Sequence, residues 1–147
     1  MDDKHSTRIY EQRELRRRYQ AGERDFSGFE LKNFHLSDCF LVDINLSCAN
    51  LEGARLGATR LISSNLSHAN LERGWLNQSS LIKANLSNAN LRNAKLVNVD
   101  LRSANLTGAD LTGAVLIETN LTGANLTDIK TTQQTIFHQV TMPSGRI

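Results

Sequence analysis

A chain of 147 residues with 17 Lys or Arg, 15 Asp or Glu and a formal charge of +2 is long enough for one domain. No stretch approaches the eighteen or more apolar residues that a membrane span needs. The opening Met-Asp-Asp-Lys-His lacks the apolar core of a signal peptide. We therefore expect a cytoplasmic protein without a membrane segment.

Residues 1–25 are expected to form a tail and a capping helix. The stretch 7–21 is rich in Glu, Gln, Arg and Leu and meets Gly22, a helix stop. Leu15 and Tyr19 lie four apart, on one helical face, and can fold onto whatever follows. Arg16, Arg17 and Arg18 would then face outward. Glu11, Glu14 and Glu23 surround this basic run, so it reads as a solvated helix face rather than a nucleic-acid site.

From Leu31 to Leu126 a leucine stands at every fifth position without a miss. Phe26 extends the series backward, and Ile136 falls on the same register further on. A helix cannot use this period: five residues advance about 500°, so the leucines would wind around the whole cylinder. A strand cannot use it either, because successive leucines would alternate faces. A chain that bends once per five residues can, with each leucine pointing inward from a short side. Two residues before most leucines stand small side chains, such as Ala49, Ala69, Ala89, Ala109 and Ala124, as close packing in a narrow tube requires. The first circuit carries Phe29, Phe34, Cys39 and Ile44 there instead, which reads as a plug.

The residue just before each leucine reveals the number of sides. Asn45 and Asn50 are followed by Arg55 and Arg60, then Asn65 and Asn70 by Trp75 and Ser80. Ser27, Ser47, Ser67, Ser87, Thr107 and Thr127 also recur at twenty. Four pentapeptides therefore make one circuit, and equivalent residues stack. Asp100 and Asn120 depart from the two-by-two pattern. The repeats of residues 26–129 give about five coils. At a parallel-strand spacing of about 4.8 Å, they form a rod on the order of 25 Å tall.

The comb fails at Thr131. Residues 130–147, with Ile136, Phe137, Val140, Met142, Pro143 and Gly145, read as a cap over the open strand edge, with a dimer contact as the alternative. The expected molecule is thus a monomer or a dimer joined through its C-terminal end.

The unit A-[DN]-L-x-x, seen in Ala49-Asn50-Leu51, Ala69-Asn70-Leu71, Ala89-Asn90-Leu91 and Ala109-Asp110-Leu111, resembles the pentapeptide repeat family over residues 26–129. The resemblance implies an all-β fold, a right-handed quadrilateral parallel β-helix (a solenoid), here with a short N-terminal α-helical cap. Arg18 to Phe26 is similar to the start of many cyanobacterial members. Members are rarely enzymes. Some are DNA mimics that bind DNA gyrase, and others act through protein contacts.

Stacking at twenty divides the surface into four faces. Asn45, Asn65, Asn85, Asn105 and Asn125 form one ladder, and Asn50, Asn70, Asn90 and Asp110 another. Both read as structural, since Asn and Asp bond the local backbone. The third face shows His35, Arg55, Trp75, Lys95 and Val115, and the fourth Phe40, Arg60, Ser80, Asp100 and Asn120. Val42, Ile62 and Ile82 stack beside the fourth. An exposed Trp among Arg and aliphatic ladders is the composition of a protein-contact patch, although β-branched ladders also stabilise sheets. We take His35, Phe40, Arg55, Arg60, Trp75, Lys95, Ile62 and Ile82 as the candidate protein-binding residues.

No catalytic, cofactor or metal site is expected. Cys48 and His68 stack one coil apart, but Gly28 and Asn88 complete their ladder, and a zinc site wants three or four ligands. Cys39 falls inward and Cys48 outward, which argues against a disulfide between them. The expected function is a non-enzymatic scaffold with a rigid surface for a protein partner, and the resemblance implies a regulatory role. Two alternatives stand beside it. A gyrase-directed DNA mimic would need acidic ladders, whereas residues 26–129 hold eight Lys or Arg and nine Asp or Glu. Nucleic-acid binding through Arg16–Arg18 with Arg55, Arg60 and Lys95 is the less favoured of the two.

Overall fold

A computed structural model describes residues 12–143. Every fifth side chain from Phe26 to Leu121 is at most 1% exposed. The inward turn of the leucines is produced by a tight bend after each one. In a typical corner the Ala54 N–H donates to the Leu51 carbonyl at 3.0 Å. The third residue of the bend takes positive φ, between 52° and 63° at seventeen non-glycine positions such as Ala58, His68 and Arg73. That conformation is unfavourable for any L-residue with a Cβ. It persists because both sides of each bend are locked into neighbouring coils.

The locking is a parallel ladder at a spacing of twenty. Asn45, Asn65, Asn85, Asn105 and Asn125 bridge in sequence, as do Arg55, Trp75 and Lys95, and Arg60, Ser80, Asp100 and Asn120. Leu51 donates its N–H forward to the Asn70 carbonyl at 2.7 Å, while Asn50 donates backward to the Phe29 carbonyl at 2.9 Å. Each coil thereby satisfies its own backbone by pairing above and below. The four-sided, twenty-residue circuit is therefore observed directly.

Corner side chains are matched vertically. A Cβ added to Gly108 (φ +69°) would lie 2.4 Å from Asn88 Oδ1. The corner amide of one coil thus occupies the space that the glycine above leaves empty.

The N-terminal end is closed by helix α1 (Gln12–Gln20). Residues 7–11 of the expected helix lie outside the described residues. Leu15 is fully enclosed, and the Tyr19 hydroxyl donates to the Val42 carbonyl at 2.9 Å. Arg16 donates to the Ser37 carbonyl at 3.4 Å, and Gln12 Oε1 accepts the His35 N–H at 3.0 Å. The helix thus meets backbone groups of the first coil that no earlier coil can pair.

One expectation fails here. Arg18 does not face outward: its guanidinium lies 5.5 Å and 5.1 Å from the ring centres of Phe26 and Phe29 and is paired with Glu23. The two rings meet edge to face at 5.4 Å, and the cation covers the end of the apolar column they begin.

A second correction concerns the far end. Lys130 still pairs with Asp110 at twenty, but Ile136 pairs with Val115 at twenty-one. One extra residue enters at 131–135, where Thr135 Oγ1 donates to the Leu111 carbonyl at 2.9 Å and accepts the Thr132 N–H. Ile136 therefore leaves the comb and is 48% exposed, while Phe137 takes the inward position over Leu116. Strands β1 (Lys95–Val97), β2 (Val115–Ile117) and β3 (Ile136–His138) form a parallel three-stranded sheet on this side. Thr141 adds the last bridge among the described residues, to Asn120. Leu126, on the Asn125 side, is only partly buried.

Polar groups in the tube are bonded with one exception. Thr59 donates to the Leu36 carbonyl at 2.6 Å and Ser64 to the Leu61 carbonyl at 2.7 Å, whereas Ser79 Oγ is buried without a partner. Since an orphaned hydroxyl costs stability and a bonded one adds a little, Ser79→Ala should stabilise the protein by about 1 kcal/mol. Ser64→Ala should not stabilise it, and Leu71→Ala should cost about 3 kcal/mol through the cavity it leaves. Urea melts of the three variants check the order.

Candidate protein-binding face

Two faces of the prism are spent on holding it together. On the Asn45 face, the Ser47, Ser67 and Ser87 N–H groups each donate at 3.1 Å to the Asn two residues earlier. Asn85 and Asn105 also donate down the column at 3.4 Å. On the Asn50 face, Asn70 Nδ2 donates to Asn50 at 3.2 Å and Asn90 to Asn70 at 3.0 Å. Amides committed in two directions have little left to offer a ligand, and the structural reading of these ladders holds.

The remaining faces are different. Trp75 is 48% exposed, bridged between Arg55 below and Lys95 above. Lys95 Nζ lies 4.1 Å from the Trp75 ring centre. On the adjoining face Phe40 is 58% exposed, and the Arg60 guanidinium lies 5.6 Å from its ring. Ile62 and Ile82 follow on that face, half-buried. The structure thus resolves the candidate residues into two cation–aromatic pairs on neighbouring faces. His35 stands apart at the capped end, with its backbone engaged by α1.

The charges on these faces are unusual in another respect. Lys32 pairs with Glu52 at 2.9 Å, Arg92 with Asp110 at 3.3 Å and Arg102 with Asp100 at 2.7 Å. Arg73 reaches Glu52 and Glu72 at 3.6 Å and 3.5 Å. Among the described residues, Arg55, Arg60 and Lys95 have no carboxylate within ion-pair distance.

Two concavities adjoin the aromatic pairs. One, of about 300 Å³, is lined by Ser37, Arg55, Gly57, Trp75 and Asn77. Its cause is local: Gly57 is the only glycine among the positions that follow a comb leucine. The other, of about 370 Å³, lies between α1 and the first coil, with Arg16, Tyr19 and Phe40 around it. Sequence reading missed both. The lone Gly57 was the available signal for the first, whereas the second depends on where α1 settles.

Cys39 is buried, and burial pushes its thiol up; Cys48 is exposed, and both are free. Cys48 and His68 sit at left-handed corners of adjacent coils. Among the described residues no three His, Cys, Asp or Glu side chains are gathered for a metal. No described helix is long and apolar enough to cross a membrane.

The family model for pentapeptide repeats matches residues 25–61, 64–102 and 94–130, in eight copies. Among solved structures, the chain is similar to the pentapeptide repeat protein Rfr23 from the cyanobacterium Cyanothece 51142. Identity is 29% over 82% of this chain and 95% of that one, with a TM-score of 0.44. It is also similar to alr5209, a pentapeptide repeat protein from Nostoc PCC 7120, at 31% identity over 87% and 85% of the two chains and a TM-score of 0.34. HetL, a pentapeptide repeat protein involved in heterocyst differentiation regulation from Nostoc sp. strain PCC 7120, aligns at 22% identity over 95% and 100%, TM-score 0.34. No curated protein sequence matches the chain.

Two carboxylates at the edges of these faces tie the surface charge to stability. The Arg102 side chain holds Asp100 below the ordinary carboxylate value, against the opposing effect of burial. Burial pushes Asp110 up, but Thr112 and Arg92 outweigh it, and the net direction is again down. Groups lowered by folding add stability that is present above about pH 4 and vanishes as pH falls through their folded values. Asp100→Asn with Asp110→Asn should therefore lose less melting temperature than wild type between pH 7 and pH 3, measured by circular dichroism.

Proposed function

This chain belongs to the pentapeptide repeat family, whose members fold as right-handed quadrilateral β-helices, and on that premise we propose a non-enzymatic scaffold that binds a protein partner. The contact surface is the edge shared by the Trp75 and Arg60 faces. One observation carries this reading: Trp75 stays half-exposed at the middle of a stack whose neighbouring coils are fully hydrogen-bonded. A large aromatic side chain held on rigid backbone loses little freedom on binding. Phe40, Arg55, Arg60, Lys95, Ile62 and Ile82 extend the same surface, and His35 marks its capped end. We assign the cytoplasm as its compartment, in keeping with the two free thiols.

Nothing on the surface favours a mimic of duplex DNA. Of the acids of the Asn50 face, Glu52, Glu72 and Asp110 are neutralised by Lys32, Arg73 and Arg92, and Glu30 accepts from the Asn50 amide. No face carries a continuous acidic column.

Affinity capture from extract of the source cells tests the reading. Trp75→Ala and Arg60→Glu should each reduce the captured partner at least tenfold while leaving the thermal melt unchanged. Undiminished capture by both variants would refute it.

A further inference from the structure

We infer that the partner presents an acidic segment running along the rod axis over the Trp75 face, with an apolar side chain seated in the depression at Gly57. This rests on the protein-binding reading above and adds the chemistry of what is bound. Charge complementarity supports it. Arg55 and Lys95 flank Trp75 in one column and, with Arg60 around the corner, are cations without a carboxylate among the described residues. Elsewhere on the rod, Lys32, Arg73, Arg92 and Arg102 are each neutralised by an acid of this chain, while Lys83, at an exposed corner, stands by itself without an ion pair among the described residues. Among the described residues, the face therefore carries positive charge that no acid of this chain balances.

The geometry narrows the ligand. Arg55 and Lys95 are two coils apart, about 10 Å at parallel-strand spacing. An extended chain sends every second side chain to one face, so acids four residues apart, separated by about 13 Å, fall within reach of the long Arg55 and Lys95 side chains with one more side chain between them on the same face. Two carboxylates so spaced can meet both cations at once, while a side chain between them enters the space of about 300 Å³ left by Gly57. That space is lined by Trp75, Arg55, Ser37 and Asn77 around Gly57. An aliphatic or small aromatic side chain fits such a lining, and long cationic stems add apolar cover.

Single-stranded nucleic acid is the competing anionic ligand, since it too combines negative charge with stacking. The structure argues against it at one point. The ammonium of Lys95 is 4.1 Å from the Trp75 ring centre, so one ring face is already engaged by a cation and not free for a base. The Phe40 ring is similarly attended by Arg60 at 5.6 Å. Carboxylates, which need the cations and not the ring faces, are better suited.

The test is to pan a displayed library of random twelve-residue peptides on the full chain and to measure the selected peptides by fluorescence anisotropy. Fluorescent oligo(dT) is measured in parallel. Selected peptides should be enriched in Asp and Glu with an interposed apolar residue and should weaken with added salt. They should lose at least tenfold in affinity for the double variant Arg55→Glu, Lys95→Glu. Gly57→Leu, which fills the depression, should weaken the same peptides. Circular dichroism and thermal melts confirm that each variant is folded. Selection of neutral or basic peptides, no selection at all, or acidic peptides indifferent to the double variant would overturn the inference. So would oligo(dT) retention that the double variant abolishes, in favour of nucleic acid. If the captured cellular partner requires Trp75 yet ignores the double variant, the binding face stands and only its acidic specificity falls. If Trp75→Ala is also without effect, both readings fall.

Discussion

A closed circuit of twenty residues leaves room inside for one leucine per side and almost nothing else. The interior is filled by the comb from Phe26 to Leu121, with alanine or another small residue beside most of its teeth. To turn four such corners, the chain must hold a residue at positive φ once in every five, and at seventeen of these places that residue has a side chain. Neither demand can be met locally. The strained corners are held because the coil above and the coil below hydrogen-bond on both sides of them, and the leucine is buried only because the corners bring it inward. Stability in such a stack is a property of neighbouring coils rather than of any single repeat.

The same dependence makes the two ends special, because each lacks one neighbour. At the start, α1 supplies what an earlier coil would have supplied: apolar cover from Leu15, and partners for the His35, Ser37 and Val42 backbone from Gln12, Arg16 and Tyr19. Arg18 closes the aromatic column of Phe26 and Phe29 with its own charge compensated by Glu23. At the finish, the described part of the last pass bridges three faces, at Asp110, Val115 and Asn120. Leu126, on the remaining face, is partly buried.

With the interior committed to packing and two faces to amide ladders, any recognition must occur on what remains. The Trp75 and Arg60 faces give up the Asn-to-backbone bond along most of their length, at Arg55, Arg60, Trp75 and Lys95. At these four positions the backbone bridges hold the column, whereas Asp100 and Asn120 further up still accept a backbone N–H. A rigid ladder at fixed spacing then presents cations and rings in a set order, with little freedom to lose on binding. Arg102, which folds back onto Asp100, shows the contrasting arrangement in which a basic side chain is satisfied within its own coil.

Period five and period twenty are properties of the covalent chain. They determined the prism, its four sides, its inward leucines and the stacking order of every face, because pairing at a constant offset leaves no other choice. The two cation–aromatic pairs were legible to the same extent, as Arg55, Trp75 and Lys95 in one column and Phe40 and Arg60 in the next. What the chain could not reveal arises where the constant offset breaks or where separate segments meet. Ile136 sits on the comb's register and yet faces outward, because a single added residue before it passes the inward position to Phe137. Arg18 lies over the first coil rather than in solvent, since only the docking of α1 brings it onto two rings. The hollow at Gly57 and, among the described residues, the absence of acids near Arg55, Arg60 and Lys95 likewise depend on distances between coils and across corners. Periodicity determines which residues share a column; packing in three dimensions decides which of them are covered, paired or left open.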